Sequence, residues 1–147
     1  MRIYIAGPLF STAEREFNLR FADFLRKELV DLQPELILPQ QKAEEIAGDP
    51  DFVAKTFSFC LETVGRSDCL VAFLEGSDAD SGTCIELGYA FAKEKPIVGI
   101  RTDFRSCEDR GLNLMVANVC THLIHEPFQS TQELAGKTAK ILRELVR

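Results

Sequence analysis

Apolar positions along the chain follow two rhythms, short uninterrupted runs and longer stretches with helical spacing, and the two alternate from end to end. Ile3 to Ala6 is a short strand-like run ended by Gly7-Pro8. Ser11 with Glu14 forms a capping-box pattern, and Phe17, Phe21, Phe24, Leu25, Leu29 and Leu32 then recur at helical spacing until Pro34. Leu36 to Leu38 predicts a second strand closed by Pro39. Asp49-Pro50 reads as a helix start, with Val53, Phe57, Cys60, Leu61 and Val64 as a core-facing stripe and Gly65 as its end. Cys69 to Leu74 is continuously apolar, as expected of a strand covered on both faces. A polar loop, Glu75 to Gly82, leads to a helix from Thr83 to Lys93, and Pro96 precedes a fourth strand, Ile97 to Ile100. Arg101 to Gly111 reads as a polar loop, Leu112 to Val119 as a short helix, and Thr121 to Ile124 as a fifth strand. A second capping box, Ser130 with Glu133, opens a last helix carrying Leu134, Ile141, Leu142 and Leu145.

Five strands alternating with five helical segments predict an α/β fold: a doubly wound, five-stranded parallel sheet flanked by helices, flavodoxin- or Rossmann-like. The 147 residues suit one domain, residues 1–147, with enough chain to bury a core unaided by staples. Hydrophobic residues at 46% and charged residues at 27% are ordinary globular usage and argue against disorder. No apolar run approaches the ~18 residues of a membrane helix. The first residues enter a strand directly, so a cytoplasmic protein with no membrane partner is expected.

The charge balance narrows the partners. Seventeen basic residues against twenty-three acidic ones give a net charge of -6. The densest basic segment, Arg101 to Arg110, is interrupted by Asp103, Glu108 and Asp109, so the stripe expected of a nucleic-acid polymer binder is missing. Five cysteines, Cys60, Cys69, Cys84, Cys107 and Cys120, form no CxxC pair and read as reduced thiols. His122 and His125 lie near no cysteine cluster of ligand spacing, so neither a metal nor a cofactor enters the reading.

In open parallel sheets ligands bind beyond the carboxyl ends of the strands. The most informative segment there is Asp78 to Ala90, which leaves the longest apolar strand and enters a helix. Ser81, Gly82 and Thr83 fall where backbone N–H groups are free and the helix dipole is positive. Glu86 falls in about the first turn, where the dipole is expected to hold it ionised as a nucleophile or base. Asp80 sits on the loop, within reach of a sugar hydroxyl or a base edge. The plain alternative is that Asp80 or Ser81 only caps the helix and Glu86 is a solvated acid.

The segment Asp80-Ser81-Gly82-Thr83-x-x-Glu86-x-Gly88-Tyr89-Ala90, followed by Lys95-Pro96, resembles the signature of the nucleoside 2-deoxyribosyltransferases. Ile3-Tyr4-Ile5-Ala6-Gly7-Pro8 and Asn113-Leu114-Met115 fit the same family, so the resemblance spans nearly the whole chain. It implies transfer of 2-deoxyribose between nucleobases through a covalent sugar on Glu86. Tyr4 matches a tyrosine that orients this carboxylate, and Asp80 a residue on the 5′-hydroxyl side of the sugar. Gly7 and Pro8 shape the substrate loop or equally well just form a turn, Tyr4 is otherwise a sheet residue with a polar tip, and Ser81, Gly82 and Thr83 border the substrate. Asn113 and Met115 match residues contributed by a neighbouring subunit, which implies a homodimer or higher homo-oligomer with shared sites. Helix capping and core packing are the alternatives for that pair. Gln40 and Gln41 fall near a position that touches the base. The implied partners are a small-molecule nucleoside and nucleobase.

The sequence departs from the family where an aspartate is expected to protonate the leaving base. That position is Cys60, a poor acid read as a core thiol. Among nearby acids, Glu62 and Asp68 are less suitable than Asp78, because Asp68 sits at the amino end of its strand. Two further readings stay open. One is an N-glycosidase acting on deoxynucleoside 5′-monophosphates, with Ser11, Ser81, Thr83, Arg101 or Arg105 on the phosphate and Asp80 opposing it. The other is a non-catalytic nucleotide-binding module. A dinucleotide enzyme is poorly supported, since Gly7-Pro8-Leu9-Phe10 lacks GxGxxG.

Overall fold

The computed structural model describes residues 1–106 and 111–145, so Cys107 and the centre of the expected Arg101–Gly111 loop lie outside the described residues. The strands are β1 (Arg2–Ala6), β2 (Glu35–Ile37), β3 (Cys69–Phe73), β4 (Ile97–Arg101) and β5 (His122–His125). They form one sheet in the order β2-β1-β3-β4-β5, with every pairing parallel. The helices are α1 (Thr12–Glu28), α2 (Pro39–Glu45), α3 (Phe52–Arg66), α4 (Ser81–Ala92), α5 (Leu114–Val119) and α6 (Thr131–Leu145). The chain steps outward from β1 to β2 and then returns to the other side of β1 for β3, which opens a crevice above the β1–β3 boundary. Among the described residues no helix is long and apolar enough to cross a membrane.

Strand alternation divides the core into two layers. Ile3, Ile5, Val71, Phe73, Val98 and Ile100 face α1 and α6, whose Phe21, Leu25, Leu134 and Leu142 complete one cluster. Tyr4, Ala6, Leu70, Ala72 and Leu74 face the other way and meet Val64 of α3 and Leu87 and Ala90 of α4. Each fully buried Leu, Ile or Phe contributes about 1.5–3 kcal/mol. β3 is buried along its whole length, as its unbroken apolar run predicts. Both capping boxes form: the Ser11 N–H donates to Glu14 at 2.7 Å and the Ser130 N–H to Glu133 at 2.8 Å, each answered by the serine hydroxyl.

Several boundaries differ from expectation. Pro39 does not close a strand. It occupies the first turn of α2, where its missing N–H is harmless, and Leu38 is the residue before that helix. The second strand is therefore Glu35–Ile37. The helix expected from Asp49-Pro50 begins at Phe52, because the Asp49 carboxylate accepts from the Asp51 N–H (2.8 Å) and builds a separate turn first. Gly65 lies inside α3, which ends at Arg66 with Ser67 as its C-cap. The α3 stripe is only partly core: Val64 is buried, Cys60 and Leu61 are half-buried, and Val53 and Phe57 are 79% and 61% exposed. α5 starts at Leu114 rather than Leu112, since Asn113 supplies its cap, and β5 is shifted by one residue to His122–His125.

Candidate active site

The crevice is walled by the loops after β1 and β3. At Gly7 the chain turns directly over Phe73; a Cβ there would stand 2.9 Å from the ring. Pro8 is then fixed from beneath. The Asn18 side-chain amide donates to the Pro8 carbonyl (3.0 Å) and to Gln40 Oε1 (3.0 Å), and Gln40 donates to the Arg15 carbonyl (3.2 Å). Asn18 and Gln40 are both buried, so this amide pair ties α2 to α1 and holds the loop. Sequence reading did not single out Asn18. A polar residue four positions before Ala22 on the buried stripe is the signal that identifies it. Gln40 is thus buried structure, whereas Gln41 is exposed.

After β3 the chain passes Gly76, whose φ of +98° suits glycine. The Glu75 carboxylate accepts from the Thr102 N–H and hydroxyl (both 2.8 Å) and the Asp103 N–H (2.9 Å), which joins the loops after β3 and β4. Asp80 caps α4: Oδ2 accepts from the Thr83 N–H at 2.8 Å and the Thr83 hydroxyl at 3.0 Å. The Thr83 N–H is therefore engaged, contrary to the expectation that it is free, while Ser81 and Gly82 are exposed. A cavity of about 540 Å³ opens in the crevice on the α1 side, with Pro8, Phe10, Phe17, Glu75, Asp78 and Asp80 among its walls. Among the described residues no lysine or arginine lines it; Glu14 adds a fourth carboxylate.

Glu86 lies in the second turn of α4, not the first. The helix turns it toward the sheet, where the hydroxyl of buried Tyr4 donates to Oε1 at 2.5 Å. Cys60 is half-buried on α3, and its interaction with Tyr4 and Glu86 bears on the titration of all three groups. Burial pushes the Glu86 carboxyl up to about 7, with Tyr4 and Cys60 opposing the rise and the charge of Asp80 adding to it. The expectation of a dipole-held ionised acid is corrected accordingly: desolvation outweighs the dipole this far into the helix. Burial also raises Tyr4 and Cys60, so both stay protonated donors at neutral pH. Cys60 is half-buried rather than fully in the core.

Tyr4 and Glu86 meet on the α3–α4 side of the sheet, opposite the α1-side cavity. Of the residues named from sequence, Pro8, Asp78 and Asp80 line that cavity; Tyr4, Gly7, Ser81, Gly82, Thr83, Glu86, Asn113 and Met115 do not. Asn113 caps α5 through its Oδ1, accepting from the Met115 (2.9 Å) and Val116 (3.4 Å) N–H groups. Met115 is 66% exposed, which leaves core packing out of its role in this chain. Asp68 accepts from the Arg2 N–H (2.7 Å) at the amino end of β3, far from the crevice in the strand sense, and Arg105 pairs with Asp103. Arg101 is fully buried and donates to the Leu74 carbonyl at 2.6 Å.

Known proteins share this fold. A conserved protein from Enterococcus faecalis V583 has the same fold, with a TM-score of 0.74 and 27% identity over 96% of this chain and 98% of that one. A 2-deoxyribosyltransferase from Bacillus psychrosaccharolyticus superposes with a TM-score of 0.68 at 19% identity, covering 92% and 90% of the two chains. A CMP N-glycosidase from Clostridium botulinum gives 0.57 at 18% identity, covering 94% and 98%. An uncharacterized protein of Schizosaccharomyces pombe is 31% identical over 110 residues, 70% of this chain; the chain spans about half the length of that curated relative, 51%. The model of the nucleoside 2-deoxyribosyltransferases matches residues 3–134, and the chain belongs to that family.

Proposed function

We propose that this protein transfers 2-deoxyribose between nucleobases, with Glu86 as the nucleophile. The observation that carries the reading is the half-buried Glu86 carboxylate held by Tyr4 at 2.5 Å near the carboxyl edge of the sheet, in a chain of this family. A Glu86 oxygen attacks C1′ of a 2′-deoxynucleoside. The C1′–N bond breaks, its electron pair leaves with the base, and an ester links the sugar to Glu86. A nitrogen of a second base then attacks C1′, expels the carboxylate and restores the original stereochemistry. A carboxylate stripped of water is a stronger nucleophile, and forming the neutral ester relieves the cost of burying its charge. Tyr4 aims the oxygen. Gly7, Pro8, Ser81, Gly82 and Thr83 border the substrate, and Asp80 meets the sugar hydroxyl side.

Val53 and Phe57 on α3, Ile85 on α4, and Leu114 and Met115 on α5 are apolar and exposed, on helices that pack in sequence. This supports a homodimer or larger assembly in which Asn113 and Met115 reach a neighbour's site. The carboxylates of Glu14, Glu75, Asp78 and Asp80 around the α1-side cavity would oppose a 5′-phosphate there, which favours a neutral nucleoside over a 5′-monophosphate.

Hydrolysis, with water replacing the second base, is the second reading, favoured by the fold shared with the CMP N-glycosidase. One assay separates them: a 2′-deoxynucleoside is incubated with a different base, and swapped nucleoside and free deoxyribose are followed. Swapped nucleoside that disappears in Glu86→Ala is expected. Free deoxyribose alone selects hydrolysis, and ligand binding with neither product selects a non-catalytic module. Unchanged turnover in Glu86→Ala overturns the role of Glu86.

A further inference from the structure

We propose that Asn18 reads the nucleobase: its side-chain oxygen, Oδ1, opens into the α1-side cavity and accepts a hydrogen bond from an exocyclic amino group of the bound base. The cavity then takes amino-bearing bases, of the cytosine and adenine kind, in preference to their oxo counterparts. The class of ligand rests on the transfer of 2-deoxyribose proposed above; the direction of the preference rests on the geometry of the amide.

That amide is fixed by a short chain of hydrogen bonds with a backbone carbonyl at each end. The Pro8 carbonyl can only accept, so the atom 3.0 Å from it is the Asn18 nitrogen. At the other end Gln40 lies 3.2 Å from the Arg15 carbonyl, so it turns its nitrogen there and its oxygen to Asn18, at 3.0 Å. Both bonds are made by the Asn18 amide nitrogen, which leaves Oδ1 over. No described residue donates to that oxygen, and it is not sealed away either. The buried side-chain atoms without a partner among the described residues are Thr56 Oγ1 and Arg101 Nε and Nη2. Asn18 is only 6% exposed yet lines the cavity, so its oxygen looks into that space.

The surroundings suit a flat ring that carries donors. Pro8, Phe10 and Phe17 give apolar walls, and a cavity of about 540 Å³ lies in the usual range for small-molecule sites. Among the described residues its charged side chains are all carboxylates, acceptors like Asn18. An amino group finds an acceptor at Oδ1. A carbonyl oxygen in the same place would meet it acceptor to acceptor, and both would lose their water without a bond in return. The amide cannot flip to suit it without breaking the bonds to Pro8 and Gln40.

The test is equilibrium binding of four free bases, cytosine, uracil, adenine and hypoxanthine, to the full chain and to Asn18→Ala, followed by ¹⁵N NMR of the protein. No sugar is present, so no turnover intervenes, and failure of Glu86 as nucleophile would leave this result standing. The parent is expected to bind cytosine about tenfold more tightly than uracil, and adenine about tenfold more tightly than hypoxanthine. In Asn18→Ala both ratios are expected to fall to about one. If the variant weakens all four bases by the same factor, Asn18 acts only by holding the Pro8 loop, and the inference is overturned. It is overturned equally if the variant binds all four as the parent does. A parent that binds the four alike, or binds none, refutes it without any variant, so the outcome does not depend on how well Asn18→Ala folds.

Discussion

Replacing Glu86 by glutamine isolates the cost of burying this carboxylate. The side chain keeps its shape, and the amide oxygen still accepts from Tyr4. In the unfolded chain the carboxyl titrates at its ordinary 4.5; in the fold burial lifts it to about 7. Between those values the folded protein holds the proton more tightly than the unfolded one, so stability falls as pH rises through this window and is flat above it. At 1.36 kcal/mol for each pH unit, the full loss is about 3 kcal/mol by pH 8, and Tyr4 and Cys60 are already counted within it. Glu86→Gln has no such slope at this position. Urea unfolding of both proteins at one concentration, at steps from pH 5 to pH 8, gives the difference directly, and the other titrating groups cancel between them. The variant is expected to gain on the parent by about 2–3 kcal/mol across that range. Parallel curves would show that Glu86 ionises as an ordinary surface acid and would refute the account of a desolvated nucleophile.

Two other outcomes follow from the packing. Gly7→Ala is expected to lower stability by about 1–3 kcal/mol, because the new methyl meets the Phe73 ring at 2.9 Å and that ring is locked among Phe17 and Phe21; an unchanged thermal midpoint contradicts it. Phe57→Glu, at a site 61% exposed in the single chain, is expected to convert the proposed assembly to monomer in analytical ultracentrifugation, and a mass that matches the parent's contradicts the proposal that α3 is part of an interface.

The sheet was readable because β3 is an unbroken apolar run that reports its burial directly, and because Gly7-Pro8, Pro34 and Pro96 mark the edges of β1, β2 and β4; β5, with a histidine at each end, carries the weakest signal. Helix starts were readable where a serine and a glutamate stand three apart, as at Ser11 and Ser130. Pro39 misled because proline ends a strand and begins a helix with equal ease, and only the course of the following residues decides which. The Val53–Phe57 stripe misled differently: helical spacing reports an apolar face without saying whether the chain's own core or a second molecule covers it. At the site, the motif located Glu86 and Tyr4, whose contact spans 82 positions in sequence. What sequence could not supply was the depth of Glu86, and so the direction of its titration.

Asp80 has a consequence for how this crevice can be dissected. One carboxylate is both the first support of the helix that carries Glu86 and part of the wall of the neighbouring cavity. Truncating it to alanine frays a helix and empties a wall together, so any lost turnover would have two causes at once. Asparagine keeps an oxygen for the Thr83 amide while discarding the negative charge, and it is the replacement that separates scaffolding from recognition.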